Sequence, residues 1–431
     1  MMTGSEQSLD IILGKDRIAK LSLLDDQLFW HYDEAWQQSG YAVSPHLPVQ
    51  GDIPSLSIQR YLRNLFPEGN ALDELISCFH LSKNNTFGLV RALGLDIPGS
   101  LIMLPSGQTL SEKATVRKIS DQELTQRLDE REDFSIIIWD GKPRLSVAGV
   151  QDKINVILSE EGQLAFGEGA LCSTHILKFE NKKLHHLALN EHITMQLAKF
   201  CGLTVANTEL KYFGNYCTLL VERFDRRMIS PSHVDRRHII DGCQALNLAP
   251  EYKYERNFGS GRDVAHIRDG ASYSKLFNFA NQCNNPALTK QKILDWALFN
   301  TLISNFDAHG KNISFFVGSK GISLAPFYDL VNVKMYDDFE HEMAMGFGEE
   351  FDAEAIHAYQ LADFADSCNL PRSLVAKSLK RLILKLQQAL SYPMTFRNVA
   401  EEKYFKKYQK MVNERCKYFL NHVDEIMSME L

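Results

Sequence analysis

The chain has no Cys-x-x-Cys pair: Cys78, Cys172, Cys201, Cys217, Cys243, Cys283, Cys368 and Cys416 are scattered along 431 residues. That spacing fits free thiols in a reducing compartment rather than a disulfide framework or a zinc site. No run approaches the roughly 20 apolar residues of a membrane span. Residues 1–11 lack the charged-then-apolar order of a secretory leader. The expected location is therefore cytoplasmic, with no membrane partner. Positive charge is not in excess either: the formal net charge is −7, which argues against strong autonomous nucleic-acid binding through a general basic surface. Despite 14 histidines there is no His-Glu-x-x-His, and no Gly-x-Ser-x-Gly elbow of a serine hydrolase occurs. Internal repeats and low-complexity tracts are also missing. What remains is an ordinary globular composition on a chain long enough for two or three domains or lobes.

The most informative stretch is 303–329. Ahead of it, residues 290–302 predict a helix that is apolar on nearly every face (Ile293, Leu294, Trp296, Ala297, Leu298, Phe299, Leu302), hence a buried one. It runs into Asn305, Asp307, His309, Gly310, Lys311 and Asn312, a cluster of hydrogen-bonding groups that a merely structural helix does not need. Residues 313–317 and 322–324 predict a hairpin across 318–321, and the segment closes on Pro326, Phe327, Tyr328 and Asp329. Asp307 precedes Asn312 with four residues between them, and a second Asp follows the hairpin. This order matches the phosphoryl-transfer layout of protein kinases. There one carboxylate accepts the proton of an attacking hydroxyl, while an amide oxygen and a second carboxylate hold Mg²⁺ on the phosphates. Asp307 is then the base, Asn312 and Asp329 the metal ligands. His309 is a candidate for orienting the base and Lys311 for balancing charge on the transferred group. The competing reading is a helix end with solvated polar residues.

In chain order, residues 9–31 predict an antiparallel meander, followed by short helices at 57–66, 71–79 and 86–93 and a strand at 100–104. The polar stretch 105–134, with one exposed helix at 121–128, reads as a connector. Strands are expected at 136–139, 144–147, 153–158, 163–166 and 174–179, a helix at 187–200, and a hairpin over 205–221. Beyond 221 the pattern is mainly helical, and 251–270, with Gly259, Gly261 and Gly270, reads as a mobile loop. The expected class is α+β: a two-lobed, protein-kinase-like fold with a β-rich small lobe extended by an N-terminal α/β subdomain and a mainly helical large lobe. The expected borders are 1–134 for the subdomain with its connector, 135–225 for the small lobe and 226–431 for the large lobe.

Three further groups could serve a nucleotide. Residues 146–153 lie between two strands, and small residues at a strand–turn–strand tip let backbone N–H groups approach a polyphosphate. The stretch lacks Gly-x-Gly-x-x-Gly, so an ordinary hairpin is an equally natural reading. Lys178 ends an apolar run and can reach α/β-phosphates, although many strand-end lysines are only solvated. Glu191, on the following helix beside Met195 and Ala198, can pair with Lys178 or be a solvated carboxylate. Glu222, Arg223 and Phe224 stand where β pattern gives way to helix pattern, the place of an adenine-binding hinge, or else form a charged inter-element loop.

With these pieces in place, the sequence resembles the HipA family of bacterial serine/threonine kinases, the toxin halves of HipBA toxin–antitoxin modules. The resemblance is carried by 145–153, 174–178, 221–226, 307–312 and 327–329, and by 65–69 and 99–101 in the N-terminal unit. It implies ATP and Mg²⁺ as cofactors, with Ala148, Gly149, Val150, Gln151, Asp152, Lys153, Lys178, Glu222, Arg223, Phe224, His309, Gly310, Lys311, Asn312, Tyr328 and Asp329 around the nucleotide. It also implies transfer of the γ-phosphoryl group to a serine of an aminoacyl-tRNA synthetase, typically the glutamate enzyme, which arrests translation and favours dormancy. Ser146 is implied as an autophosphorylation site, and a phosphoserine there carries nearly two negative charges beside the triphosphate. The implied partner is a HipB-type helix-turn-helix antitoxin dimer, through which the complex binds operator DNA. The acidic stretch 348–354 departs from lysine-rich relatives and argues against direct DNA contact there; Lys377, Lys380, Arg381 and Lys385 read as a solvated face. Two other readings stand beside this one: a small-molecule or lipid kinase, whose catalytic loop the Asp-x-His-x-x-Asn pattern also resembles, and a non-catalytic corepressor module.

Overall fold

The computed structural model describes residues 7–110, 114–145, 147, 151–169, 171–180, 184–337 and 341–430. Ser146, Ala148, Gly149 and Val150, expected in the phosphate loop, lie outside the described residues. Contacts gather the chain into two compact units. The first comprises Met1–Asn181, Thr208–Pro250 and Phe315–Ile322; the second comprises Lys182–Asn207, Glu251–Ser314 and Ser323–Leu431.

The first unit contains two larger sheets. The expected meander is there: Gln7–Leu13, Asp16–Leu24 and Gln27–Tyr32 pair in sequence, and Leu101–Pro105 joins on the far side of Gln7–Leu13. Burial alternates along Gln27–Tyr32, while the two strands before it are buried in runs; Leu9 and Ile11 and, across the ladder, Leu21 and Ala19 are all buried in the core. The helices Ser55–Arg63, Gly69–Phe79 and Thr86–Leu93 follow the expected order. The second sheet has six antiparallel strands in the order Thr208–Phe213, Tyr216–Glu222, His175–Phe179, Lys153–Leu158, Leu164–Gly169, Ala114–Lys118. Its last strand lies inside the stretch read as a connector. Ala114–Lys118 is an edge strand whose side chains stay half-exposed or exposed, so it carries no apolar alternation to betray it. Where strands are expected at 136–139 and 144–147, the structure has a two-residue pair, Ile138–Trp139 with Lys142–Pro143, and Arg144 and Leu145 lie in no strand.

The segment after Glu222 is more β-rich than its pattern suggests, with a hairpin of Arg226–Ser230 and His233–Arg236. It binds the N-terminal sheet region through buried polar contacts. His238 Nε2 lies 2.9 Å from the Val43 carbonyl, Asn64 Nδ2 donates to Leu248 O at 2.8 Å, and Gln244 Nε2 donates to Tyr61 O at 2.9 Å. Burial pushes His238 down to about 4, so it sits there as a neutral ring. At the centre is an ion cluster. Arg223 Nε and Nη2 grip Asp225 at 3.0 and 2.9 Å, Arg226 Nη1 reaches the same carboxylate at 2.7 Å, and Gly99 N–H donates to it at 2.8 Å. Gly99 has φ +84°, and a Cβ there would stand 2.9 Å from the His238 ring, so no side chain fits this approach.

The second unit is mainly helical, built on Leu187–Cys201, Tyr273–Phe279, Pro286–Leu302, Ala358–Ser367, Arg372–Ser391 and Val399–His422. Pro286–Leu302 starts on an Asn285 cap with Pro at its first turn. Ile293, Leu294, Trp296, Ala297, Leu298, Phe299 and Leu302 are all fully buried, as a helix apolar on every face requires. Residues 251–270, read as a mobile loop, are irregular between Tyr252 and Gly270 and anchored at both ends. Glu255 is buried and ion-paired with Arg268, its N–H donates to Ala344 O at 2.9 Å, and Gly270 N–H returns to Glu255 O at 3.2 Å. A strand pair, Glu342–Phe347 with Glu350–Asp352, completes the unit.

Burial by itself would raise the Asp225 carboxyl, but Arg223 and Arg226 outweigh it and hold it well below the usual carboxylate range. Its contribution to stability is therefore complete above the ordinary carboxylate value of about 4 and is lost as the pH falls below that. Asp225→Asn leaves two guanidinium groups short of a buried partner and should cost about 3–5 kcal/mol. Urea unfolding at pH 7 and pH 3.5 checks this: the gap between wild type and variant should narrow at the lower pH.

Candidate functional site

The loop that leaves the buried helix is shaped by its own asparagines. Asn305 N–H donates to the Asn300 carbonyl at 2.8 Å, and Asn305 Nδ2 donates to Asn300 Oδ1 at 3.0 Å. Asn305 Oδ1 then accepts the Asp307 N–H at 3.3 Å. Ser304 takes φ +57°, the left-handed turn that redirects the chain out of the helix. Five residues on, Asn312 Nδ2 donates to the Asp307 carbonyl at 2.9 Å. The base and the amide ligand expected from their spacing are thus tied to each other by a hydrogen bond across the loop. That bond also orients the Asn312 amide: its NH₂ is spent on Asp307, which turns its oxygen away, available as a hard ligand.

Within the loop, His309, Lys311 and Asn312 are buried while Asp307 is exposed. A carboxylate open to solvent can meet a substrate hydroxyl; its buried neighbours serve the frame. His309 Nδ1 accepts the Lys311 N–H at 3.2 Å, so the neutral ring carries its hydrogen on Nε2. Gly310 N–H donates to the Lys253 carbonyl at 2.9 Å, and the Tyr254 hydroxyl donates to Asp307 Oδ1 at 2.6 Å. Tyr328 follows the hairpin and closes back on the loop, its hydroxyl bonding to Lys311 O at 2.6 Å and lying 2.8 Å from the Ser314 hydroxyl.

Asp329 is held from both sides. Just before it, Phe327 N–H donates to Thr204 O and Phe327 O accepts the Ala206 N–H, both at 2.9 Å, while its ring stacks on Trp296 with centroids 5.6 Å apart. Just after it, Asn190 grips the Asn332 backbone twice: Nδ2 donates to Asn332 O at 2.9 Å and Oδ1 accepts the Asn332 N–H at 2.8 Å. Asp329 itself has φ +59°. A non-glycine residue in the left-handed region carries strain that the surroundings must hold, and such residues cluster at functional sites. Together Asn312 and Asp329 offer one amide oxygen and one carboxylate. This all-oxygen, two-ligand set suits Mg²⁺, which keeps most of its shell for water and phosphate. A zinc-type site is not supported: no group of three His, Cys, Asp or Glu residues among the described residues could hold a metal.

In the first unit, Lys178 and Lys153 are register partners on adjacent strands, so both ammonium groups project from one face of the sheet, and both are buried. The end of the stretch expected to hold phosphate is pinned to the strand carrying Lys178: Gln151 Nε2 donates to Phe179 O at 3.1 Å and Phe179 N–H donates to Asp152 O at 2.9 Å. Burial raises the Asp152 carboxyl, partly offset by Arg131. Glu222 ends its strand exposed, opposite His175. Arg223 differs from a nucleotide-facing residue: its N–H donates to Thr174 O, its carbonyl accepts from Arg226 N–H, and its guanidinium lies in the ion cluster. Phe224 packs edge-on against Phe316, over which the Arg237 guanidinium lies.

Asp307, His309, Gly310, Lys311, Asn312 and Tyr328 thus come together in the second unit, with Asp329 next to Tyr328 in the chain, and Gln151, Asp152, Lys153 and Lys178 lie together in the first. Glu191 is buried within its helix. Asn190, its neighbour, went unnoticed, although an Asn inside an otherwise apolar helix is a signal. Asn300 and Asn305 carry the same kind of signal. Tyr254 had none, being one aromatic among the charges and glycines of a loop.

Residues 9–104 match the family model of the HipA N-terminal domain, and residues 145–390 match that of the HipA-like C-terminal domain. Over 437 residues the chain is 46% identical to the serine/threonine-protein kinase toxin HipA of Shewanella oneidensis, with 100% of both chains covered. A putative kinase of Sinorhizobium fredii is 30% identical over 375 residues, 84% of this chain and 85% of that protein. Among solved structures, the complex of Shewanella oneidensis HipA and HipB with its operator DNA contains a chain that superposes with a TM-score of 0.90 at 46% identity, covering 98% of this chain and 100% of that one. The fold is therefore the kinase-like α+β fold that the motifs implied. With both halves matched and the whole length aligned to a named relative, this chain belongs to the HipA family of serine/threonine-protein kinase toxins.

Proposed function

We propose that this kinase transfers the γ-phosphoryl group of ATP to a serine of an aminoacyl-tRNA synthetase, the glutamate enzyme first among them, and so arrests translation as the toxin of a type II toxin–antitoxin module. The observation that carries the reading is the bond between Asn312 Nδ2 and the Asp307 carbonyl, which couples an exposed carboxylate to an oriented amide oxygen at kinase spacing. In the step, the substrate serine Oγ forms a bond to the γ-phosphorus while the bond to the β,γ-bridging oxygen breaks. ADP leaves with that oxygen, and the serine proton passes to Asp307. Asn312 and Asp329 would hold Mg²⁺, which neutralises charge on the phosphates when bound. Lys178 and Lys153 take the phosphates from the sheet side, Gln151 and Asp152 end the loop over them, and Glu222 to Phe224 border the adenine, with Arg223 contributing as the anchor of that segment. The domain borders at 134 and 225 belong to the same reading.

Ser146 is proposed as a site of autophosphorylation that ends activity, because a doubly charged phosphate in the loop expected to hold the triphosphate would repel it. The antitoxin is a HipB-type dimer. The solved relative is in a complex with HipB and operator DNA, and the −7 net charge of this chain favours operator contact carried mainly by the antitoxin.

Asp307→Ala should lower phosphoryl transfer by about 10²–10⁴-fold, the usual loss on removing a general base, and should abolish growth arrest on expression without the antitoxin. Mass spectrometry after incubation with ATP and Mg²⁺ should find phosphate on Ser146 and, in cell extract, on a synthetase serine. Turnover on a small alcohol with Ser146 unmodified would move the assignment to a small-molecule kinase; unchanged growth arrest in Asp307→Ala would move it to a non-catalytic corepressor. Chelation with EDTA should stop transfer and added Mg²⁺ should restore it, while Asp329→Asn should raise the Mg²⁺ concentration needed for half-maximal rate, read from a metal titration.

A further inference from the structure

The segment 252–256 touches the catalytic loop through contacts that neither the motif nor the family reading uses. Its backbone is fastened on both sides: Lys253 O holds Gly310 N–H, Glu255 N–H donates to Ala344 O, and Ala271 N–H returns to Tyr252 O at 2.8 Å. Gly270 packs so closely that a Cβ there would lie 1.8 Å from the Tyr254 carbonyl. Glu255 adds a buried carboxylate that accepts the Gly346 N–H at 2.9 Å. Out of this rigid strap, Tyr254 projects to the loop. Its ring meets His309 edge-on at 5.2 Å, the Lys253 ammonium lies 5.3 Å from its centroid, and its hydroxyl reaches Asp307 at 2.6 Å.

We propose that Tyr254 is a positioning residue for phosphoryl transfer, its hydroxyl holding the Asp307 carboxylate in the orientation that meets the substrate hydroxyl. The inference rests on Asp307 being the base. The main-chain carbonyl of Asp307 is already fixed by Asn312 and its N–H by Asn305, but neither bond sets the rotation of the carboxylate about its own side-chain torsions. Tyr254 does. A group that only marked the empty place of a substrate would sit on a mobile segment, so that substrate could displace it. Here the tyrosine stands on backbone anchored at Gly310, Ala344 and Gly270. A purely structural role is equally poor: the bond lies at the surface, with Tyr254 37% exposed, where one hydrogen bond adds little to folding, and the strap has anchors that do not involve the hydroxyl. The value of the bond is in geometry, since a small misplacement of a reacting group lowers rate far more than it lowers stability.

Tyr254→Phe keeps the ring against His309 and removes only the hydroxyl. The test compares wild type, Tyr254→Phe and Asp307→Ala, each as the full chain, in single-turnover transfer of label from γ-labelled ATP into the protein and into bacterial extract. Tyr254→Phe should lower the rate at saturating ATP about tenfold, the scale of one charge-assisted hydrogen bond. Its half-saturating ATP concentration and its melting temperature should stay at the wild-type values. An undiminished or faster rate overturns the proposal, the faster rate marking Tyr254 as a placeholder that blocks the base. A rate loss matched by a lowered melting temperature or weakened ATP saturation overturns it in favour of a structural role. Labelling of Asp307→Ala equal to wild type instead removes Asp307 as the base, and the role of Tyr254 with it.

Discussion

The second unit depends on the C-terminal part of one helix, which has almost no exposed face. In Pro286–Leu302 every position from 293 to 302 except Asp295 is buried, so protein must surround that stretch, and exposing one side of it would put Ile293, Trp296 or Phe299 into water. Burying a side chain of that size favours the seated state by about 1.5–3 kcal/mol, and several act together. The consequence for function lies at the C-terminal end. A helix that cannot rotate delivers Asn300 to one place, Asn300 receives Asn305, and Asn305 sets the Asp307 backbone. The Asp307 backbone thus inherits its position from the apolar burial upstream.

The first unit uses the opposite means. Its N-terminal sheet and the segment after Glu222 meet through charged and polar groups out of water, centred on Arg223, Arg226 and Asp225. Buried ions gain little net stability over apolar packing, yet removing one partner is costly. Such a cluster tolerates only one geometry, which suits the end of the strand leading from Glu222. Arg223 thus holds its neighbours in place.

Much of the candidate site was legible because phosphoryl transfer demands few residues at strict spacing. Asp307, Asn312 and Asp329 are local in sequence, and the apolar helix before them announces burial by composition alone. The meander and most helices were legible for a related reason: one face buries, so the period shows. Where both faces stay wet, as in Ala114–Lys118, no period exists and the strand was missed. The anchoring of 251–270 was hidden too, since its bonds run to Gly310, Ala344 and Gly348, far away in sequence and mostly through the main chain, which leaves no mark on residue type.

The sequence by itself therefore determined the reaction class, the family and the order of the motifs, because these rest on residue identity and local spacing. Only the tertiary structure decided that Asn190 grips the segment after Asp329, that Arg223 is buried among ions, and that Lys153 stands opposite Lys178. It alone brought Tyr254 to Asp307. Those facts depend on which surfaces pack together, and packing is a property of the whole chain folded at once, written in no single stretch of it.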